Sequence, residues 1–126
     1  MKRALLPLLL IGFLLNACGF LKPDGLKMIT APALNQLMAQ QKVFLVDVHI
    51  PEQRHIPGTD AVVSFMDVEE NIGAFPKDKK QPIYLYCESG PMGNWAARTL
   101  FDLGYDNLYN LEGGAHAWKK AGLPLK

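Results

Sequence analysis

The stretch "IYLYCESGPMGNWAARTLFDLG", Ile83 to Gly104, joins an apolar run to a cysteine, a glycine-bearing turn and a helix-like segment. The run Ile83–Tyr86 predicts a strand that delivers Cys87 to the carboxyl edge of a sheet. The residues from about Asn94 predict a helix that ends at Gly104. In parallel α/β sheets ligands bind beyond the carboxyl ends of the strands, so Cys87 lies where a functional residue is expected.

Strand-like and helix-like runs alternate on both sides of this stretch. The strand candidates are "KMIT", "VFLVDV", "AVVSF" and "NLYNL", and the helix candidates are "APALNQLMAQQ", a weak "MDVEENIGAF" and "AHAWKKAG". This βαβ(α)βαβα order implies right-handed crossovers between parallel strands. It predicts an α/β fold with a mostly parallel sheet of about five strands and helices on both faces.

Size and charge limit the functions that fit the chain. It has 126 residues, which is room for one compact domain, and 49% of them are apolar. The formal net charge of +1 implies neither a nucleic-acid patch nor an acid-coated surface. His49, His55 and His116 lack the spacing of metal ligands, so no metal site is expected.

The N-terminus has the order of a secretory signal. Lys2 and Arg3 precede an apolar run from Ala4 to Leu15, which is shorter than the ~18–20 residues that span a hydrocarbon core. The following "LLNACGF" resembles the lipobox of bacterial lipoproteins. That resemblance implies a diacylglyceryl group on the Cys18 thiol, cleavage before Cys18 and acylation of its new amino group. An ordinary signal peptide that leaves Cys18 as a free thiol is the alternative.

The lipoprotein interpretation divides the chain into three parts. Residues 1–17 are the signal peptide, 18–27 a lipidated N-terminus and tether, and 28–126 the folded domain. The protein is then lipid-anchored on the periplasmic side of a bacterial cell envelope. Gly19 follows the cysteine, which in Gram-negative lipoproteins usually accompanies export to the outer membrane. If Cys18 carries lipid, Cys87 has no partner within the chain, which excludes a disulfide-stapled scaffold.

The sequence around Cys87 favours a reactive thiol. Gly90 and Gly93 permit backbone conformations that turn amide N–H groups inward, and the following helix directs its positive dipole end to the same place. Such a setting stabilises a thiolate and any negative charge on the group that it attacks. A buried core cysteine is the alternative, since cysteines are common at the ends of strands.

Four segments, together with their spacing, resemble the single-domain rhodanese sulfurtransferases between Met28 and Leu125. They read "FLVDV", "HIPGT", "IYLYCESG" and "LGYDNLYNLEGGAHAWKKAGLP", and the last is the most specific. The resemblance implies a rhodanese-like fold and a Cys87 persulfide, which takes sulfane sulfur from a donor such as thiosulfate or an organic persulfide. The sulfur then passes to a thiol or to cyanide. The persulfide-holding loop would comprise Glu88, Ser89, Gly90, Pro91, Met92 and Gly93.

The same resemblance implies no cofactor. The near-neutral charge implies no nucleic-acid partner, and we expect the protein to act as a monomer. Asp47, at the end of a strand, is expected to hold loop amides rather than to react. A non-catalytic binding module, or a carrier of sulfur within a larger pathway, is the alternative function. A phosphatase of the related Cdc25 type is disfavoured because the loop through Gly93 has no arginine to clamp a phosphate.

Two positions depart from the family pattern. Many members carry a cation directly after the cysteine and another five positions after it, where this chain has Glu88 and Met92. We therefore expect weak activity with thiosulfate, or a preference for a less charged donor. Arg54, in the loop after the second strand, is the residue that could restore positive charge near the mouth of the site; a merely solvated side chain is the alternative.

Overall fold

The computed structural model describes residues 19–126, so the predicted signal peptide and Cys18 lie outside the described part of the chain. Five strands form one sheet, and all neighbouring pairs are parallel. They are β1 (Lys27–Ile29), β2 (Phe44–Asp47), β3 (Ala61–Val62), β4 (Ile83–Tyr86) and β5 (Leu108–Leu111). Their order across the sheet is β1-β5-β4-β2-β3. The fully buried β4 occupies the centre, as expected for a continuous apolar run.

Within residues 19–126, three α-helices cover the sheet: α1 (Ala31–Gln40), α2 (Pro91–Asp102) and α3 (Gly114–Lys120). α2 packs on one face, and α1 and α3 pack together on the other. Successive side chains from β4 point to opposite faces of the sheet. Leu85 and Cys87, which directly follows β4, belong to the core under α2, whereas Tyr84 and Tyr86 belong to the opposite core. The predicted fold class is confirmed, with a sheet that is parallel throughout.

Two predicted helices differ from the structure. Residues 66–75, predicted as a weak helix, form turns and a short 3-10 helix at Ile72–Ala74. Only Val68 and Phe75 are buried in this segment, and the Asp67 carbonyl accepts from both the backbone N–H of Asn71 at 3.1 Å and its side chain at 2.8 Å. The helix predicted from about Asn94 begins earlier, at Pro91, because proline suits the first helical position.

The segment before β1 also differs from its prediction. Residues 18–27 were expected to form a tether, but the described residues 19–26 pack against the domain. Leu26 is 3% exposed and belongs to the core under α2, and Pro23 is buried. The compact domain therefore begins before Met28. No helix in residues 19–126 combines the length and apolarity needed to cross a bilayer.

Candidate active site

Cys87 lies directly after β4, at the carboxyl edge of the central strand. Cys87 is 1% exposed, and it forms no disulfide within residues 19–126. The Gly90 N–H donates to the Cys87 Sγ at 2.9 Å. Gly90 has a φ of +131°, a conformation that side chains rarely allow, so glycine is needed to turn this amide back onto the sulfur.

The carbonyls of Cys87 and Glu88 accept hydrogen bonds from the start of α3. Ala115 N–H donates to the Cys87 carbonyl at 2.8 Å, and His116 N–H donates to the Glu88 carbonyl at 2.9 Å. This approach is so close that a Cβ on Gly114 would collide with the Cys87 carbonyl oxygen. Gly113 and Gly114, at the start of α3, therefore let two backbone amides hold the carbonyls of Cys87 and Glu88.

A buried asparagine holds the third carbonyl. The side chain of Asn110 is fully buried in β5, and its Nδ2 donates to the Gly90 carbonyl at 2.9 Å and to Asn94 Oδ1 at 3.0 Å. Gly90 O also accepts from Asn94 N at 3.2 Å. A Cβ on Gly93 would collide with the Asn110 amide, so Gly93 serves this contact and lies within α2.

The predicted six-residue loop is therefore shorter than expected. Glu88, Ser89 and Gly90 form the turn, and the remaining three residues belong to the first turn of α2. Among the described contacts, only the Gly90 amide donates to the sulfur. Pro91 has no N–H, so Met92 and Gly93 are the next donors that the helix offers at this end.

A cavity of about 340 Å³ opens beside the sulfur. Its walls are formed by residues from four segments, namely Phe20, His49, Cys87, Glu88, Ser89, Pro91 and Met92. No lysine or arginine is among these described lining residues. The polar side chains at the mouth are Glu88, which is 65% exposed, and His49, whose Nε2 lies 3.6 Å from Glu88 Oε2. His49 Nδ1 is buried and has no hydrogen-bond partner among the described residues.

Asp47 organises the loop that brings His49 to this cavity. Its buried carboxylate accepts from His49 N–H at 3.0 Å and from Gln53 Nε2 at 3.2 Å, and it binds His55 Nδ1 at 2.8 Å. Glu52 binds the other ring nitrogen of His55 at 3.1 Å. Burial lowers the pKa of His55, but the hydrogen bonds to Asp47 and Glu52 outweigh it, so the pKa lies above its ordinary 6.5.

Arg54 donates to the Leu125 carbonyl at 2.6 Å. It lines, with Glu88, His116 and Lys119, a cavity next to the one at Cys87, but not the cavity at Cys87 itself. That Arg54 restores positive charge at the mouth stays a prediction.

Three residues at the site were not selected from the sequence as site residues. Asn110 could have been noticed as a polar residue inside an apolar strand, which must find a partner when buried. His49 follows Asp47 by two residues at the active edge of the sheet, but it was considered only as a metal ligand. Nothing in the sequence marked Phe20 as a site residue, because it falls in the segment predicted as a tether.

Comparison with known proteins gives one family match and several relatives. The family model described as Rhodanese-like domain matches residues 30–121. A thiosulfate sulfurtransferase, GlpE of Pseudoalteromonas translucida, is 31% identical over 91 residues, which cover 68% of this chain and 82% of the relative. A Synechocystis protein described as uncharacterized is 37% identical over 99 residues, 76% of this chain. The match covers 54% of that relative, so this chain spans about half its length.

A solved structure from Rhodopseudomonas palustris aligns with a TM-score of 0.70 and 25% identity. The alignment covers 82% of this chain and 86% of that one, which is described as a protein of unknown function and possible tyrosine phosphatase.

The raised pKa of His55 predicts a pH-dependent contribution to stability. Because the folded pKa exceeds the unfolded value of 6.5, the His55–Asp47 ion pair stabilises fully below about pH 6.5 and is lost as pH rises through the folded pKa. His55→Gln should therefore lower the free energy of unfolding by roughly 1 kcal/mol at about pH 5.5, and by less at about pH 8.5. Urea unfolding at the two pH values measures this difference.

The matched control is His116→Gln, at an exposed residue of α3 with no ion pair to an acidic side chain in the described chain. The change that it causes at each pH is subtracted as the baseline. An equal loss at both pH values for His55→Gln, or a larger loss at high pH, would contradict the assignment.

Proposed function

The chain belongs to the rhodanese-like domain family, and on that basis we propose that it is a sulfurtransferase that carries sulfane sulfur as a persulfide on Cys87. The observation that carries the proposal is the Gly90 N–H aimed at Sγ at 2.9 Å, at the carboxyl edge of the central strand. An N–H donor at this distance stabilises negative charge on the cysteine sulfur. The N-terminus of α2 adds its positive dipole end at the same edge.

The proposed reaction has two displacements. The Cys87 thiolate attacks the outer sulfur of a donor R–S–SH, the bond between the two donor sulfurs breaks, and R–S⁻ leaves with the electron pair. The outer sulfur keeps its proton, so the enzyme now carries Cys87–S–SH. An acceptor thiolate then attacks this outer sulfur, the Cys87–sulfur bond breaks, and the thiolate of Cys87 returns. No external oxidant or reductant is consumed.

The charges at the mouth support a donor less charged than thiosulfate. Glu88 places a carboxylate beside the turn, Met92 supplies no charge, and Arg54 is bonded to the C-terminal segment. Attack on thiosulfate would require a dianion to approach this rim and sulfite to leave across it. Without a lysine or arginine in the described cavity lining, that approach lacks a counter-charge.

The binding-module and sulfur-carrier alternatives share the fold but differ in chemistry. A pure binding module needs no sulfur on Cys87, whereas a carrier accepts sulfur and releases it only to a specific partner. The phosphatase description of the Rhodopseudomonas palustris structure does not favour that activity here. Residues 88–93 contain neither arginine nor lysine to hold three phosphate oxygens.

Sulfur loading tests the proposed function directly. Incubation with hydroxyethyl persulfide should add the mass of one sulfur to Cys87, because the Gly90 amide stabilises the charged sulfur. Loading from an equal concentration of thiosulfate should be slower. Mass spectrometry of the intact protein and of its Cys87 peptide measures both.

Cys87→Ser should gain no sulfur, whereas Cys18→Ala should still gain it. If neither donor gives an adduct, the transferase is rejected and the binding module is favoured. A stable adduct that small thiols cannot discharge would favour the carrier.

We further propose that Cys18 is lipidated and that the domain lies on the periplasmic side of a bacterial envelope. Support comes from sequence alone: Lys2 and Arg3, the apolar run that follows them, and the "LLNAC" segment that resembles a lipobox. Several buried acyl chains would anchor the protein without a spanning helix.

Metabolic labelling with an alkyne-tagged palmitate tests this anchor. The unmodified protein and Cys87→Ser should both incorporate the label, and Cys18→Ala should lose nearly all of it because the acceptor thiol is gone. Labelling of Cys18→Ala at the level of the unmodified protein, or no labelling of any of the three, would refute the lipid anchor.

A further inference from the structure

The segment before β1 supplies one wall of the cavity at Cys87. Residues 19–22, here called the strap, run across α2, and Phe20 lines the cavity together with Pro91 and Met92. The Phe20 ring packs on Trp95, with ring centroids 5.0 Å apart, and on Phe65, at 5.9 Å. Phe20 still keeps 38% of its surface exposed, so part of the ring remains available to a ligand.

Specific contacts fix the strap in this position. Asn94 Nδ2 donates to the Phe20 carbonyl at 2.9 Å, and an Arg98 guanidinium N–H donates to the Leu21 carbonyl at 3.1 Å. Gly19 lies so close to Trp95 that a Cβ on this glycine would collide with the indole ring. The buried Pro23 and Leu26 hold the following residues. Contacts of the residues before and after Phe20 therefore fix its position.

The strap and the catalytic turn also share one hydrogen-bonded unit. Asn94 donates to Phe20 O and accepts from Asn110 through its Oδ1 at 3.0 Å. Asn110 in turn donates to the carbonyl of Gly90, whose N–H contacts the reactive sulfur. The wall that carries Phe20 is thus fixed relative to Cys87 through two buried or half-buried amide side chains.

The chemistry of the cavity then indicates the substrate class. Three of its lining side chains, those of Phe20, Pro91 and Met92, are apolar, and Glu88 and His49 face each other at the mouth. Burial of an apolar substituent against Phe20 is favourable, whereas a dianion meets no lysine or arginine in the described lining.

We propose that Phe20 is a specificity-determining residue that makes this cavity prefer persulfides and thiols bearing an apolar group. The inference rests on the proposed function and deepens it, since R in the donor R–S–SH becomes an alkyl or aryl group. The two displacements described above remain unchanged. The apolar group packs against Phe20 while the outer sulfur reaches Cys87.

Sulfur transfer from three donors tests this preference. Benzyl persulfide, hydroxyethyl persulfide and thiosulfate are compared by kcat/KM, with dithiothreitol as acceptor. Phe20→Ala should lower kcat/KM for benzyl persulfide by about tenfold and leave the other two within about twofold. Phe20→Leu, which keeps an apolar side chain, should restore most of the preference. Leu21→Ala is the matched control, because Leu21 is 61% exposed and does not line the cavity.

Equal losses with all three donors in Phe20→Ala would overturn the proposal, since Phe20 would then be merely structural. Benzyl methyl sulfide is unreactive as a sulfur donor. Its binding to Cys87→Ser, measured by tryptophan fluorescence, tests the apolar cavity independently of sulfur transfer. Binding weakened about tenfold by a second change, Phe20→Ala, supports the apolar cavity even if no donor is turned over. No binding, or binding that Phe20→Ala leaves unchanged, rejects it.

Discussion

A single hydrogen bond, from the Gly90 N–H to the Cys87 sulfur at 2.9 Å, is the contact on which the site depends. A turn of this length presents both amides and carbonyls, and a carbonyl aimed at the sulfur would repel a thiolate. Here the carbonyls of Cys87, Glu88 and Gly90 are each engaged by another donor, two from the first turn of α3 and one from Asn110. The packing of α3 and β5 against the turn therefore selects which backbone group meets the sulfur.

The close packing of α3 and β5 against the turn explains why glycines occur here better than local flexibility alone does. Gly90 supplies a positive φ, but Gly93 and Gly114 are needed because Asn110 and the Cys87 carbonyl lie where their side chains would be. Asn110 then links the turn to Asn94, and Asn94 holds the strap. The Cys87 sulfur, its amide donor and the apolar wall at Phe20 consequently belong to one packed unit rather than to independent loops.

Local patterns were sufficient to predict much of this structure. The continuous apolar runs at Ile83–Tyr86 and Phe44–Asp47 predicted buried parallel strands, and Gly104 predicted the end of α2. Contacts between distant residues were not predictable: Arg54 pairs with the Leu125 carbonyl, 71 positions away, and Phe20 with Asn94, 74 positions away. The prediction of a weak helix at residues 66–75 was wrong; only Val68 and Phe75 of this segment are buried, and Ile72 is partly buried against the same core.

The amide proton resonance of Gly90, followed while Cys87 is loaded with one sulfur, tests the central claim most directly. In isotope-labelled protein this resonance should shift more than those of Glu88 and Ser89, because its N–H is the donor that meets the changing sulfur. The same treatment of Cys87→Ser should leave it in place. If mass spectrometry shows sulfur on Cys87 while the Gly90 resonance stays fixed, the turn does not hold the persulfide as described.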